Sequence, residues 1–134
     1  MIKVKSIFKK FEESEVLKDI NAHFEKGKTN LIIGQSGSGK TVFLKCLLGL
    51  HVIDSGEIIY DGKSSYEMND FDKLNLRRDM GMVFQGSALF DSMNVLENVR
   101  FPLDMLTNFE KEEKEEKALK FIKRVNLEDA INKL

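Results

Sequence analysis

The strongest constraint in this chain is the octapeptide Gly34-Gln35-Ser36-Gly37-Ser38-Gly39-Lys40-Thr41, which follows the apolar run Asn30-Leu31-Ile32-Ile33. A short apolar run of that kind reads as a strand buried on both faces of a parallel sheet. Residues 41 to 50 read as a helix, with Gly49 placed to end it. Strand, glycine loop and helix in that order make an anion site. Glycines let successive backbone N–H groups turn inward where a Cβ would crowd an anion, and the helix presents its partially positive N-terminus to the same point. The spacing Gly34-x-x-x-x-Gly39-Lys40-Thr41 is the Walker A pattern, in which Lys40 supplies a charge for the β and γ phosphates and the Thr41 hydroxyl can ligate Mg²⁺. The phosphate-binding set is therefore Gly34, Ser36, Gly37, Ser38, Gly39, Lys40, Thr41 and Val42. A dinucleotide-binding turn is excluded, because Val42 stands where the third glycine of that motif belongs.

Around the loop the pattern alternates between strands and helices. Ile2, Val4, Ser6 and Phe8 alternate with Lys3, Lys5 and Ile7, which predicts an antiparallel strand. A polar turn at 12–15 leads to a second strand at 16–24. Gly56 to Gly62 read as strand residues closed by an Asp-Gly turn, hence a hairpin. A helical turn at 71–78 precedes Met80-Gly81-Met82-Val83-Phe84-Gln85, read as another buried strand. Asn94 and Glu97 form a candidate capping box opening a helix at Val95, and Pro102 suits the first turn of a following segment. From Glu110 to Val125, Glu110/Lys114, Glu113/Lys117 and Glu116/Lys120 have favourable four-residue spacing, with Ala118, Leu119, Ile122 and Val125 as the buried stripe. Residues 128–134 read as the tail of a helix leading onward, as in a fragment of a longer chain.

Composition narrows the partners. The 134 residues carry 21 basic and 22 acidic side chains, so no global charge draws the chain to nucleic acid or anionic lipid. No apolar run is long enough to insert in a membrane, and the N-terminus lacks a signal-peptide core, so a cytoplasmic location is expected. The single cysteine, Cys46, excludes an internal disulfide and sits in an apolar run, where a packed thiol is expected.

Walker A alone does not separate ATPases, GTPases and nucleotide kinases. Two segments imitate an apolar strand ending in a Mg²⁺-binding Asp, but Asp54 and Asp61 both stand in turn sequences, Asp54-Ser55-Gly56 and Asp61-Gly62. No Asn-Lys-x-Asp base-recognition stretch occurs. A nucleotide kinase would need lid arginines, and Arg77, Arg78, Arg100 and Arg124 show no clustering beyond one adjacent pair. The loop, then Gly49-Leu50, Asp54-Ser55-Gly56-Glu57-Ile58, Asp61-Gly62 and Met82-Val83-Phe84-Gln85, resemble ABC-transporter ATPases in order and spacing over the whole chain.

That resemblance implies an α/β P-loop NTPase with a RecA-like core and an N-terminal antiparallel β-subdomain. Residues 1–88 would hold these parts and residues 89–134 the start of a helical subdomain. It implies ATP and Mg²⁺ as ligands, with Lys40 and Gln85 catalytic and Thr41 and Gln85 at the metal. Gln85 would be the glutamine that hinges the helical subdomain toward the membrane subunits. Phe11 matches the family's adenine-stacking aromatic, with Phe8 as the other candidate. Implied partners are transmembrane permease subunits and a second copy of the intact ATPase, at the inner face of the plasma membrane. Gln85-Gly86-Ser87-Ala88-Leu89-Phe90 and the residues after it are similar to the ATPases of MCE-linked, Mla-type phospholipid transporters; amino-acid or metal import is the alternative. The family's Leu-Ser-Gly-Gly-Gln signature, Walker B Asp, catalytic Glu and switch His do not occur in these residues. A non-hydrolysing nucleotide-binding regulator is the rival reading.

Overall fold

Strand β1 (Ile2–Phe11) is the spine of the only sheet among the described residues, pairing antiparallel with β2 (Ser14–Phe24) on one side and with β3 (Ser55–Tyr60) on the other. The computed structural model describes residues 1–134 except Gln85 and Ser87. It divides into two compact units, Met1–Met82 and Val83–Leu134. The sheet order is β2-β1-β3-β4, where β4 (Lys63–Ser64) closes the expected hairpin through Asp61-Gly62.

β1 departs from strict alternation. Lys5 pairs with Glu57 and Phe8 with Ser55, so Ser6 and Ile7 together face the single residue Gly56. The extra residue reverses the side-chain phase, as a β-bulge does. Val4 and Ile7 consequently share the buried face, and Ile7, expected opposite to Val4, is fully buried. The displaced Ser6 N–H donates to Asn21 Oδ1 at 2.8 Å. Gly56 is required here: at φ +91 it lies in the left-handed region, and a Cβ would sit 2.2 Å from the Ser6 carbonyl oxygen.

Against this sheet packs α1 (Lys40–Leu47), contributing Phe43, Cys46 and Leu47 to a core with Val4, Ile7, Leu17, Ile58, Tyr60 and Met68. The buried Tyr60 hydroxyl donates to the Leu47 carbonyl at 2.7 Å, and burial pushes its pKa up to about 12. Burial likewise raises the Cys46 thiol, consistent with a packing role. α1 ends where Gly49 predicted. Leu50 N–H reaches Lys45 O (2.8 Å) and Gly49 N–H reaches Cys46 O (3.0 Å), the paired bonds of a Schellman stop. Arg77 of α2 (Asp70–Asp79) adds a bond to Gly49 O at 3.1 Å.

Neither expected central strand is present as a strand. Residues 30–33 and 80–84 carry no ladder bonds, and Leu31 (84%), Ile33 (81%) and Val83 (97%) are exposed. A strand is stabilised by neighbours that take its N–H and C=O groups, and no described residues supply them.

The second unit is a helical pair. α3 (Val95–Leu106) opens with the expected capping box, Glu97 N–H to Asn94 Oδ1 and Asn94 N–H to Glu97 Oε2, both 2.9 Å. The remaining first-turn donors are also met, Val95 N–H by Lys133 O and Leu96 N–H by Ile131 O. The C-terminal residues therefore turn back through a 3₁₀ turn (Glu128–Ala130) onto α3, correcting the reading of an onward helix. Pro102 lies inside α3 and does not open a new segment. Asn98 anchors the helix start instead, its amide donating to Phe90, Met93 and Asn94 carbonyls. In α4 (Lys111–Arg124) only Glu113–Lys117 of the three expected pairs forms among the described residues; Lys114 turns to Asp104 on α3. Ala118 and Ile122 are buried, while Leu119 and Val125 are exposed.

Two stability outcomes follow from the sheet. Gly56→Ala should destabilise by about 2 kcal/mol or more in urea unfolding, because strain and backbone overlap combine. Gly62→Ala, with a similar φ and open space around it, should cost only about 1 kcal/mol. The carboxyls of Asp54, Glu57, Asp61 and Asp72 are all held below their ordinary values by hydrogen bonds from Lys9, Lys5, the N-terminal ammonium and Lys63 respectively. Their contribution is complete above the ordinary values of 3.8 for Asp and 4.5 for Glu and is lost as pH falls through the lower folded values. Urea midpoints taken between about pH 3 and pH 6 should be level at the upper end and fall at the lower, with a shallower fall in Asp54→Asn.

Candidate phosphate-binding site

The loop from Gly34 to Gly39 delivers the chain onto α1 through a left-handed Gly39 (φ 88, ψ 4). That conformation is closed to most residues, and space closes it further: a Cβ on Gly39 would meet Val16 Cγ1 and the Val16 carbonyl oxygen at 3.0 Å. The β1–β2 hairpin thus presses on the loop and fixes where α1 begins. Ser38 N–H bonds back to Gln35 O at 3.2 Å, making the turn that brings Gly39 around.

The helix start is left without an internal cap. Gly39 has no side chain to offer, the first turn carries no acidic residue, and Phe43 N–H is the first to bond backward, to Gly39 O at 2.8 Å. The N–H groups of Lys40, Thr41 and Val42 therefore have no acceptor among the described residues. Three donors aligned with the positive end of a helix suit an anion. The Lys40 ammonium lies over the same loop, donating to Gly34 O (2.8 Å) and Gln35 O (2.6 Å). The Thr41 hydroxyl is exposed and has no partner among the described residues. This donor set fits a polyphosphate with a hard cation held through the hydroxyl.

The sequence-derived residues fall into three groups. Gly34, Ser36, Gly37, Ser38, Gly39, Lys40, Thr41 and Val42 lie in the loop and first helical turn. Phe11 lies apart, at the end of β1, 40% exposed, with its ring 5.3 Å from that of His51. Phe8, the other aromatic candidate, lies beside the bulge, and its carbonyl accepts from Asp54 N–H at 2.9 Å. Gln85 lies outside the described residues. The two carboxylates weighed as metal ligands are engaged elsewhere. Asp54 binds Lys9 Nζ (2.9 Å) and Lys10 N–H (2.6 Å), and Asp61 binds the N-terminal ammonium. Sequence reasoning missed Val16 and Leu17 as walls of the loop, because those contacts join distant segments and leave no local signal. A cavity of about 520 Å³ opens beside the loop, lined by Leu31, Ile33, Ser38, Lys40 and Phe43 among others. Its apolar lining comes from β2, from α1 and from the unpaired 30–33 segment, so it is a gap in packing next to the candidate site.

Comparison with known proteins bears on the family and the fold. The family described as "ABC transporter" matches residues 17–134. The chain is 40% identical over 135 residues to the L-cystine import ATP-binding protein TcyC of Bacillus subtilis (strain 168), covering 98% of this chain and 55% of that protein. It is 37% identical over 131 residues to the methionine import ATP-binding protein MetN of Clostridium tetani, covering 96% and 40%. To the glutamine transport ATP-binding protein GlnQ of Geobacillus stearothermophilus it is 39% identical over 135 residues, covering 98% and 54%. The chain thus spans about half the length of the curated relatives it matches. Among solved structures it superposes on the dimeric bacterial ABC transporter cassette MJ0796 with a TM-score of 0.81 at 33% identity, covering 98% of this chain and 60% of that one. The post-hydrolysis dimer of the same cassette, bound to ADP and Pi, gives 0.81 at 32%, with the same coverage. No helix among the described residues is long and apolar enough to cross a membrane. By family match, relatives and fold together, this chain belongs to the ABC transporter family.

Proposed function

We propose that the chain forms the ATP-binding half of a transporter ATPase. The observation that carries this reading is the uncapped start of α1, where the N–H groups of Lys40, Thr41 and Val42 and the Lys40 ammonium converge on one loop. In this reading the loop amides hold the phosphates, Lys40 neutralises their outer oxygens, and the Thr41 hydroxyl ligates Mg²⁺. Bound Mg²⁺ supplies the charge that offsets what develops on the transferring phosphoryl group. Phe11 offers a face for adenine, since stacking needs only a π surface. Gln85 is assigned the metal-proximal hinge by family resemblance, and residues 89–134 the beginning of the helical subdomain.

Residues 1–134 contain no Leu-Ser-Gly-Gly-Gln signature and no Asp-Glu pair to activate water. The intact protein, on this proposal, pairs two such domains beneath a permease at the inner membrane face, each site sharing the other's signature. The chain alone then binds nucleotide and turns over little or none. The names of the cystine, methionine and glutamine proteins support amino-acid import as the cargo class. The phospholipid reading rests only on the segment from Gly86 to Phe90 and finds no support in those names, which are of amino-acid importers.

Calorimetric titration of the chain with MgATP should give saturable binding, and Lys40→Ala should weaken it by about tenfold or more, the loss of a charge-assisted contact. Steady phosphate release by the chain that Lys40→Ala abolishes would contradict the binding-only reading. For cargo, the full-length ATPase reconstituted with its permease should be stimulated by amino-acid-loaded binding protein. Stimulation by phospholipid instead would favour the lipid reading.

A further inference from the structure

Phe11 ends β1 next to a charged pair that neither the loop nor the core uses. The Lys9 ammonium lies 5.2 Å from the centre of the Phe11 ring, inside the range of a cation–π contact. It is also 2.9 Å from Asp54 Oδ1, and Asp54 Oδ2 accepts from Lys10 N–H at 2.6 Å. The Lys9 side chain is only 14% exposed, so its long stem is already ordered by packing. Asp54 is itself fixed, its N–H donating to Phe8 O at 2.9 Å. His51 completes the surround with a ring 5.3 Å from that of Phe11 at 73°. His51 is in turn tied to α1 through its N–H to Lys45 O at 3.2 Å.

These contacts have a direction. Asp54 pins Lys9, Lys9 and His51 pin the ring, and the ring keeps 40% of its surface open. In register, Lys9 pairs with Leu17, whose side chain borders Gly39 of the loop. Phe11 therefore lies two residues, about 7 Å, along β1 from the strand pair that walls the phosphate site. An unsupported phenylalanine at a hairpin end would lose rotamer freedom on stacking with a base, and a pre-set ring avoids that loss.

We propose that Lys9, fixed by Asp54, is a positioning residue that presets the Phe11 ring to stack on a purine base. This rests on the reading of Phe11 as the adenine-stacking residue. Lys9 acts through the ring it touches, so its effect is confined to ligands that carry a base.

The test uses the 134-residue chain and two probes, MgATP and magnesium tripolyphosphate, which has the phosphates without the base. Lys9→Met should weaken MgATP binding about three- to tenfold and leave tripolyphosphate binding unchanged, while Lys9→Arg, which keeps both the cation and the ion pair, should restore MgATP affinity. In a Phe11→Ala background, Lys9→Met should have no further effect. Equal weakening of both probes by Lys9→Met, or an effect that persists in Phe11→Ala, would overturn the proposal. If Phe11→Ala weakens MgATP binding but Lys9→Met does not, the positioning role fails and the adenine reading stands. If Phe11→Ala leaves MgATP binding unchanged, the adenine reading fails and the positioning role falls with it. Unaltered tripolyphosphate binding also reports that each variant is folded.

Discussion

The first unit hangs on the bulge in β1. With Ser6 and Ile7 opposing Gly56, one strand serves two neighbours and still directs both Val4 and Ile7 into the core. The core that Ile7 completes receives α1 through Phe43, Cys46 and Leu47, and the position of α1 decides where its uncapped N-terminus points. On the other side of β1, the hairpin to β2 brings Val16 and Leu17 against Gly39. A glycine at 56 and an amide at Asn21 thus lie upstream, in the physical sense, of a phosphate loop they do not touch.

Local chemistry made much of this legible in the sequence. The loop spacing, the Gly49 helix stop, the Asp61-Gly62 turn and the Asn94–Glu97 capping box each depend on residues within a few positions of one another. The structure shows each turn or cap in place. What the sequence hid depends on distant partners. Ile7 looked outward because its phase is reversed by a residue 49 positions away, and no pattern in β1 announces a bulge. Residues 30–33 and 80–84 have strand composition, but composition cannot provide a ladder partner. Asp54 was weighed as a metal ligand from its neighbours alone, whereas it is spent on Lys9 and the Lys10 amide. Pro102 shows the converse: a residue that usually breaks a helix is carried inside one whose start is anchored by the Asn98 amide and the returning C-terminal residues.

The site's division of labour follows from the same geography. On the proposed reading, the phosphates meet the backbone of one helix start together with Lys40 and Thr41, so their site depends on the position of α1. On the same reading, the base meets one side chain, Phe11, at a strand end. The apolar exposure of Leu31, Ile33 and Val83 belongs to neither task; it marks backbone without a ladder partner among the described residues.

Lys40 carries a further consequence. An ammonium group has three donors, and two of them are committed to the carbonyls of Gly34 and Gln35. On the proposed reading the third donor meets an incoming phosphate oxygen, and phosphate entry becomes an exchange of ligands around a cation that is already held by the loop.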